Sequence, residues 1–554
     1  MRPRLSKGDI AFIVIVVIAV VALVVGLAPW FFNARSASQP PEQATANPSS
    51  QATVINTSKV IIGENAHLGT SSWSIPDGKE AITQIQAYAS ATSVSPGQKL
   101  TFYVSTQKEG TGYSIDIYRL GWYAGAGGRL MATQAAQIGH AQGYYDPTTY
   151  RLIGCTACHL DLQTGLVEAN WQPSYTLTVP SDWTTGVYLA KFTDVNGMQT
   201  YAPFDVRGST FSVYVAVTSD TTYQAYNMWG GYSLYQGPGS SITTGEVGKL
   251  SKAVKVSFDR PYAQVDGSGY VLLYEAAAIH WLERQGYDLS YISSVDLHED
   301  PGQLLQHRVY LSLGHDEYWT KEMRDGVEYA RDHGVGLAFL GANAAYWQIR
   351  FEPDSAGTRD RTIVCYKVQT VGHDLARDPL FGKDNARVTA QWRDTLLARP
   401  ENALIGIMYS GYELQRGFPW HVNSEAASPL LDGTGLQPGE QYGCGLVGNE
   451  WDRVFANGAT PAGLQVLGVS PTVNVSNQAD FSNTTYYIAP SGAMVFATGS
   501  FYWTLSLDSY RLYTDLLCTG QDSVVPGMQK LMAHVMDALV KNYRSQQLTV
   551  TSTA

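Results

Sequence analysis

The spacing of apolar residues changes period once along the chain, near Arg207, and that change limits the folds open to it more than any other feature. Between residues 81 and 207 the runs QKLTFYVST, YSIDIYRLGWY, YTLTVP, GVYLAKFTD and TYAPFDVRG alternate apolar and polar side chains and are separated by Gly, Pro, Asn and Asp. Short strands at this spacing predict an antiparallel β-sandwich. Within it, residues 132–168 carry mostly turn residues and read as its least ordered part. After Arg207 the pattern becomes strand (VYVAVTSD), helix (YEAAAIHWLERQGY, ending at Gly286), strand (LSYISSVD), strand (RVYLSLGH), helix (EMRDGVEYARDHG, ending at Gly334) and strand (VGLAFLGAN). Strand alternating with helix predicts an α/β layered domain on a parallel sheet. Beyond Glu352 the pattern is irregular, with strand-like runs such as GAMVFATGSFYW, and it closes on the helical segment VPGMQKLMAHVMDALVKNY.

The amino-terminal region reads differently. Arg2, Arg4 and Lys7 precede an unbroken apolar run of 18 residues, Ile10 to Leu27, followed by Pro29, Trp30, Phe31 and Phe32. A span of the hydrocarbon core needs about 20 apolar residues, whereas a cleavable signal core has about 7–15, so a retained single-pass transmembrane helix is expected. Basic residues ahead of the run put the amino terminus inside and the rest of the chain at the outer, extracellular face of the cell membrane. Secretion by a cleaved signal peptide, using Ala34 or Ser36, is the alternative. The stretch SQPPEQATANPSSQAT has almost nothing to bury and reads as a flexible tether. The expected organisation is a cytoplasmic end and anchor over 1–32, a linker over 33–75, the sandwich over 76–208, the α/β domain over 209–545 and a tail over 546–554.

Composition narrows the partners. With 37 Lys+Arg against 48 Asp+Glu the net charge is −11, which leaves no basic surface for a nucleic-acid backbone. The 35 Tyr exceed the 16 Phe and 13 Trp combined, favouring sheets and polar sites. Five cysteines, Cys155, Cys158, Cys365, Cys444 and Cys518, exclude a disulfide framework and leave at least one thiol outside intramolecular pairs. Cys155-Thr156-Ala157-Cys158-His159 matches the attachment pattern of c-type haem, yet it lies in a Gly-rich loop of a sandwich with no helical pocket around it. A disulfide or structural thiols are therefore expected there.

Ligands of a parallel sheet bind outside the carboxyl ends of its strands, which here are the loops TSDTTYQAYN, GHDEYW and GANAAYW. Gly314-His315-Asp316-Glu317-Tyr318-Trp319 places a histidine and two carboxylates in three positions. Helix capping accounts for one carboxylate, not for the trio. Neither Ser nor Cys occupies the turn, which disfavours nucleophile-elbow chemistry.

At these residues the chain resembles the family of the large (beta) subunit of N,N-dimethylformamidase, in its carboxyl-terminal domain and the sandwich before it. The resembling segments run from IDIYRLGWYAGAGGR through TGLVEANW, VPSDWTTGVYLAKF, TYQAYNMWGG, KVSFDRPY, GHDEYWTKEMRD and GLAFLGANAAYWQIRFE to GNEWDR. The resemblance implies an amidotransferase-like α/β fold without its cysteine, and a mononuclear iron held by two tyrosines and a glutamate. Carried onto this chain, Glu317 is the carboxylate ligand, Tyr226 one phenolate and Tyr188 the other, with His315 beside the metal. Asn343 matches a pocket amide and Glu450 a base. If Tyr188 is structural, the second phenolate is to be sought among Tyr223, Tyr232 and Tyr318. Hard oxygen donors suit a hard trivalent cation, which also lowers the pKa of a phenol from its reference of about 10. The function implied is an iron-dependent, membrane-anchored amidohydrolase cleaving a C–N bond of a small amide, with homo-oligomerisation left open. The alternative on the same scaffold is a non-catalytic cell-surface protein for carbohydrate binding or adhesion.

Overall fold

The strand Tyr214–Thr218 is apolar on both faces and buried at every position, as are Leu289–Ser293, Val309–Leu313 and Gly336–Leu340. Such strands need cover on both sides. In the computed structural model, which describes residues 56–208, 211–237, 251–510 and 524–541, they form the middle of a seven-stranded sheet. Its order is Leu289–Ser293, Tyr214–Thr218, Val309–Leu313, Gly336–Leu340, Met494–Ala497, Ala479–Ile488, Gln465–Val473. The first five run parallel, and the last two add antiparallel. The helices Ala276–Gln285 and Pro526–Leu539 cover one face with Ile279, Leu282, Met532 and Val535. Helix Lys321–Asp332 covers the other with Met323, Val327 and Ala330.

Two expectations are corrected here. The layered α/β domain on a parallel sheet is not what forms: strand dominates, the sheet is mixed, and several smaller sheets flank it. The irregular stretch after Glu352 makes the difference, because it supplies the long hairpin Met408–His421/Gln441–Arg453 and the antiparallel edge strands. Run LSYISSVD also splits. Its last residues begin helix Ser294–Glu299, where Ser293 and Asp296 form a reciprocal cap. The second correction concerns the single-pass membrane placement: no helix among the described residues is long and apolar enough to cross a membrane. The run from Ile10 to Leu27 lies outside the described residues, as does Cys518.

Ahead of the seven-stranded sheet, a three-stranded sheet (Ile85–Ala89, Lys99–Thr106, Tyr175–Thr178) faces a five-stranded one (Ser93–Val94, Gln199–Val206, Gly186–Asp194, Gly112–Leu120, Gly128–Ile138). Ile85, Phe102, Ile115, Phe192 and Phe204 fill the space between them. Residues 132–168 are more regular than their turn-rich composition predicts: they finish the Gly128–Ile138 strand and add two small hairpins, with a Cys155–Cys158 disulfide between them. Residues 56–75, read as linker, already belong to the folded body, since Ile61, Trp73 and Ile75 are buried. The sandwich is tied to helix Ala276–Gln285, which covers the central sheet, by a fully buried ion pair, Arg119 Nη2 to Glu283 Oε1 at 2.7 Å.

A second tie is acidic. Asp205, on the last sandwich strand, and Asp220, just after the first strand of the central sheet, each place Oδ2 2.7 Å from the Thr218 hydroxyl. One hydroxyl hydrogen cannot serve two carboxylates, so one carboxyl must carry a proton and donate back. Burial pushes Asp220 up to about 7, and burial with the charge of Asp220 pushes Asp205 well above the carboxylate range. Raised folded-state values mean stability that is complete below about pH 4 and is lost as pH rises through about 7. Asp205→Asn should therefore melt closer to its pH 5 temperature at pH 8 than wild type does, a relative gain on the order of 1–3 kcal/mol measurable by thermal unfolding at the two pH values.

Candidate active site

The site forms where the Val309–Leu313 and Gly336–Leu340 strands end side by side. A Cβ on Gly341 would fall 1.8 Å from the Gly314 carbonyl oxygen, and one on Gly314 would fall 2.8 Å from Glu275 Cγ. Only glycine allows so close an approach, and Gly314 also takes a positive φ of 59°. The two loops are then zipped together by Ala345 N–H to Asp316 O at 2.8 Å and Tyr346 N–H to Glu317 O at 2.9 Å. Alternate residues of the extended turn point opposite ways. Asp316 faces back into the sheet, accepting from Ser312 Oγ at 2.7 Å, while His315 and Glu317 face the site.

Glu317 is the centre of that site. Its Oε2 accepts from Tyr226 Oη and its Oε1 from Tyr235 Oη, each at 2.7 Å, and its backbone N–H donates to Thr222 Oγ1 at 3.0 Å. Tyr226 closes the helix Asp220–Tyr226 that follows the Tyr214–Thr218 strand, and Tyr235 stacks on it with ring centroids 4.2 Å apart. Tyr318 Oη donates to Tyr235 Oη at 2.6 Å. His315 Nε2 lies 3.2 Å from Glu317 Oε2 and 3.8 Å from Glu450 Oε2, close to both but aligned as a hydrogen bond with neither. Its ring is held between Tyr226 at 5.3 Å, Tyr274 at 6.0 Å and Phe501 at 4.3 Å. Asn343, at a positive φ of 52°, donates Nδ2 to Glu450 Oε2 at 2.7 Å. Above the Tyr235 ring, 3.3 Å from its centroid, sits the Lys367 ammonium.

Burial separates the charges. It pushes the Glu317 carboxyl up, but His315, Lys367 and the Tyr226 hydroxyl outweigh it and hold Glu317 below the usual carboxylate range. Burial and then the charge of Glu317 push Glu450 well above that range. The one pocket thus drives Glu317 towards its ionised form and Glu450 towards its protonated form. Burial, followed by the charge of Glu317, keeps Tyr226 and Tyr235 protonated. Burial also lowers Lys367 to about 7.

Of the residues expected from sequence, the structure gathers Glu317, Tyr226, His315, Asn343 and Glu450. Tyr188 is the correction. It lies in the sandwich core, stacked on Trp183 and Phe204, and donates to the Thr184 carbonyl at 2.6 Å. Its strand is covered on both faces, so the ring serves packing. Tyr223 does not replace it, since it donates to Glu275. The second phenol that meets Glu317 is Tyr235, which sequence reasoning does not single out although it follows Tyr226 by nine positions in the same aromatic-rich loop. Lys367 and Phe501 were missed too: a lone lysine and a strand-end phenylalanine carry no signal in sequence. Among the described residues no three His, Cys, Asp or Glu side chains form a cation site. The donor set at Glu317 is a different one, a carboxylate with two phenol oxygens converging on it. Those hard, ionisable oxygens fit a trivalent cation, which would displace the two phenol hydrogens.

Comparison with known proteins identifies the family. The N,N-dimethylformamidase beta subunit-like, C-terminal family matches residues 114–515, well over half of the chain, and the chain belongs to that family. The N,N-dimethylformamidase beta subunit of Paracoccus aminophilus is 26% identical over 275 residues, 44% of this chain and 35% of that protein. The beta subunit of the same name from an Alcaligenes species is 23% identical over 405 residues, 62% of this chain and 52% of that protein. The chain thus spans between a third and about half of the length of these curated relatives. A solved cycloisomaltooligosaccharide glucanotransferase from Paenibacillus sp. aligns with 10% identity over 53% of this chain and 36% of that one, at a TM-score of 0.14 that carries no argument.

Two substitutions test this geometry. Gly341→Ala must move the Gly314 backbone and should cost about 3 kcal/mol or more in chemical denaturation. Tyr188→Phe removes one hydrogen bond remote from Glu317 and should cost only about 0.5–1.5 kcal/mol in the same measurement.

Proposed function

We propose that the chain is an amidohydrolase that cleaves the C–N bond of a small amide at a mononuclear ferric iron held by Glu317, Tyr226 and Tyr235. The observation that carries this reading is the convergence of two phenol oxygens on the two oxygens of one buried carboxylate, each at 2.7 Å, in a chain of the dimethylformamidase family. Bound iron would supply Lewis-acid polarisation of the amide carbonyl and acidify a water. The chain's own residues do the rest. Asn343 holds Glu450 by Oε2, which leaves Oε1 to take the proton of an attacking water and pass it to the departing amine nitrogen. Glu450 takes that proton in its ionised form, and its burial then favours keeping the proton until the departing amine accepts it. His315, fixed by three aromatic rings, orients the ionised face of Glu317 and stands between it and Glu450. Phe501, Tyr274 and Tyr226 wall the histidine with apolar surface, which excludes bulk water from the reacting groups.

The purified chain, loaded with ferric iron and offered N,N-dimethylformamide, should bind about one iron, show a tyrosinate-to-iron band in the visible spectrum and release dimethylamine. Glu317→Gln should lose the iron and the band. Glu450→Gln should keep both while turnover falls by roughly 10²–10⁴-fold. Wild-type protein without iron and without the band would sink the metal reading. A loaded protein inert towards dimethylformamide and other small amides would sink the hydrolase.

A further inference from the structure

Between Tyr226 and Tyr235 the chain makes a tight loop outside any sheet, and the shape of that loop decides where the two hydroxyls stand. Gly230 and Gly231 both take positive φ, and a Cβ on Gly230 would lie 2.6 Å from Val167 Cγ1. The loop is wound around one side chain. Arg260 Nη1 donates to the carbonyls of Trp229 at 2.7 Å and Tyr232 at 2.9 Å, Nη2 donates to that of Asn227 at 3.0 Å, and Nε reaches Gln224 Oε1 at 3.4 Å. Arg260 is fully buried, and no carboxylate among the described residues pairs with it. An unpaired interior cation is costly, and burial lowers its pKa to about 9. A core needing only volume would be filled by an apolar side chain. What the guanidinium adds is a rigid planar fork that fits several carbonyls at once.

The sandwich grips the same loop. Trp229 Nε1 donates to Gln86 Oε1 at 2.8 Å, and Gln86 is itself fixed by Tyr145 N–H at 3.0 Å and by donating Nε2 to Tyr145 O at 2.7 Å.

We propose that Arg260 is a positioning residue for the metal site: by fixing the 227–232 loop it sets the spacing at which the Tyr226 and Tyr235 hydroxyls meet Glu317. The inference rests on the iron reading above. Lysine at 260 keeps the charge but loses the fork, so the loop relaxes and the two phenols no longer converge.

The test titrates ferric iron into apo protein, recording affinity, the visible tyrosinate band and the melting temperature for wild type, Arg260→Lys and a control, Arg324→Lys. Arg324 is also fully buried, but on helix Lys321–Asp332, where it pairs with Glu328 at 2.6 Å. Arg260→Lys should bind iron about 10–100-fold more weakly with a displaced band, whereas the control melts lower with affinity and band unchanged. Wild-type affinity and band in Arg260→Lys, whatever its melting temperature, would overturn the inference alone. Wild-type protein that takes up no iron would overturn the metal reading and the inference with it. If Arg260→Lys does not fold, Trp229→Phe, which frees the loop from Gln86, decides: it should shift the band and weaken binding, and an unchanged titration overturns the proposal.

Discussion

The carbonyl of Gly314 fills the space in which a side chain on Gly341 would begin, and the site depends on that contact. Because two neighbouring strands end on glycine, their loops can lie against each other and exchange backbone hydrogen bonds before diverging. His315 and Glu317 on one loop and Asn343 on the other then face a common space, and the Gln441–Arg453 strand delivers Glu450 to it. No arrangement of the polar side chains achieves this if the backbones stay one Cβ further apart. The acid–base separation follows. Glu317 has hydroxyl and cationic neighbours that keep it ionised, whereas at Glu450 burial and the negative Glu317 outweigh the Asn343 hydrogen bond and the charge of Lys367.

The sandwich contributes by bracing and not by reaching in. Its Arg119 is tied to the helix over the central sheet and its Asp205 to the sheet itself, and its Gln86 holds the loop between the two tyrosines. The hairpin after the Cys155–Cys158 disulfide supports the same loop from beneath, through Val167 against Gly230. A domain that supplies no side chain to Glu317 can still determine whether the groups around it converge.

What the sequence discloses divides along physical lines. Runs such as VYVAVTSD and RVYLSLGH place buried strands correctly because burial on both faces requires uninterrupted apolar residues, and such strands put polar loops at their ends. Pairing is another matter. Nothing in the period of GAMVFATGSFYW says that Met494–Ala497 lies parallel to Gly336–Leu340 on one side and antiparallel to Ala479–Ile488 on the other, so the mixed sheet was not legible. Residue roles divide similarly. Glu317 and His315 stand out because carboxylates and histidine are rare at a buried strand end. Tyrosine is abundant in this chain and is used for packing at Tyr188 and for hydrogen bonding to Glu317 at Tyr226 and Tyr235, a distinction that partners make and residue type does not. The apolar run at the amino terminus is legible as hydropathy, while the described residues contain no helix fit to cross a membrane.

The strand Met494–Ala497 inserts between two elements made earlier, and Phe501 just beyond it closes the last wall around His315. During synthesis the sandwich, finished by Val206, can fold while the ribosome is still translating the central sheet. The groups around Glu317 have no such opportunity: they are drawn from positions between 226 and 501, and contacts so distant along the chain form late. A nascent chain carries Tyr226 and Glu317 long before it has the residues that enclose them, so the centre is complete only after Phe501 has been made and folded into place.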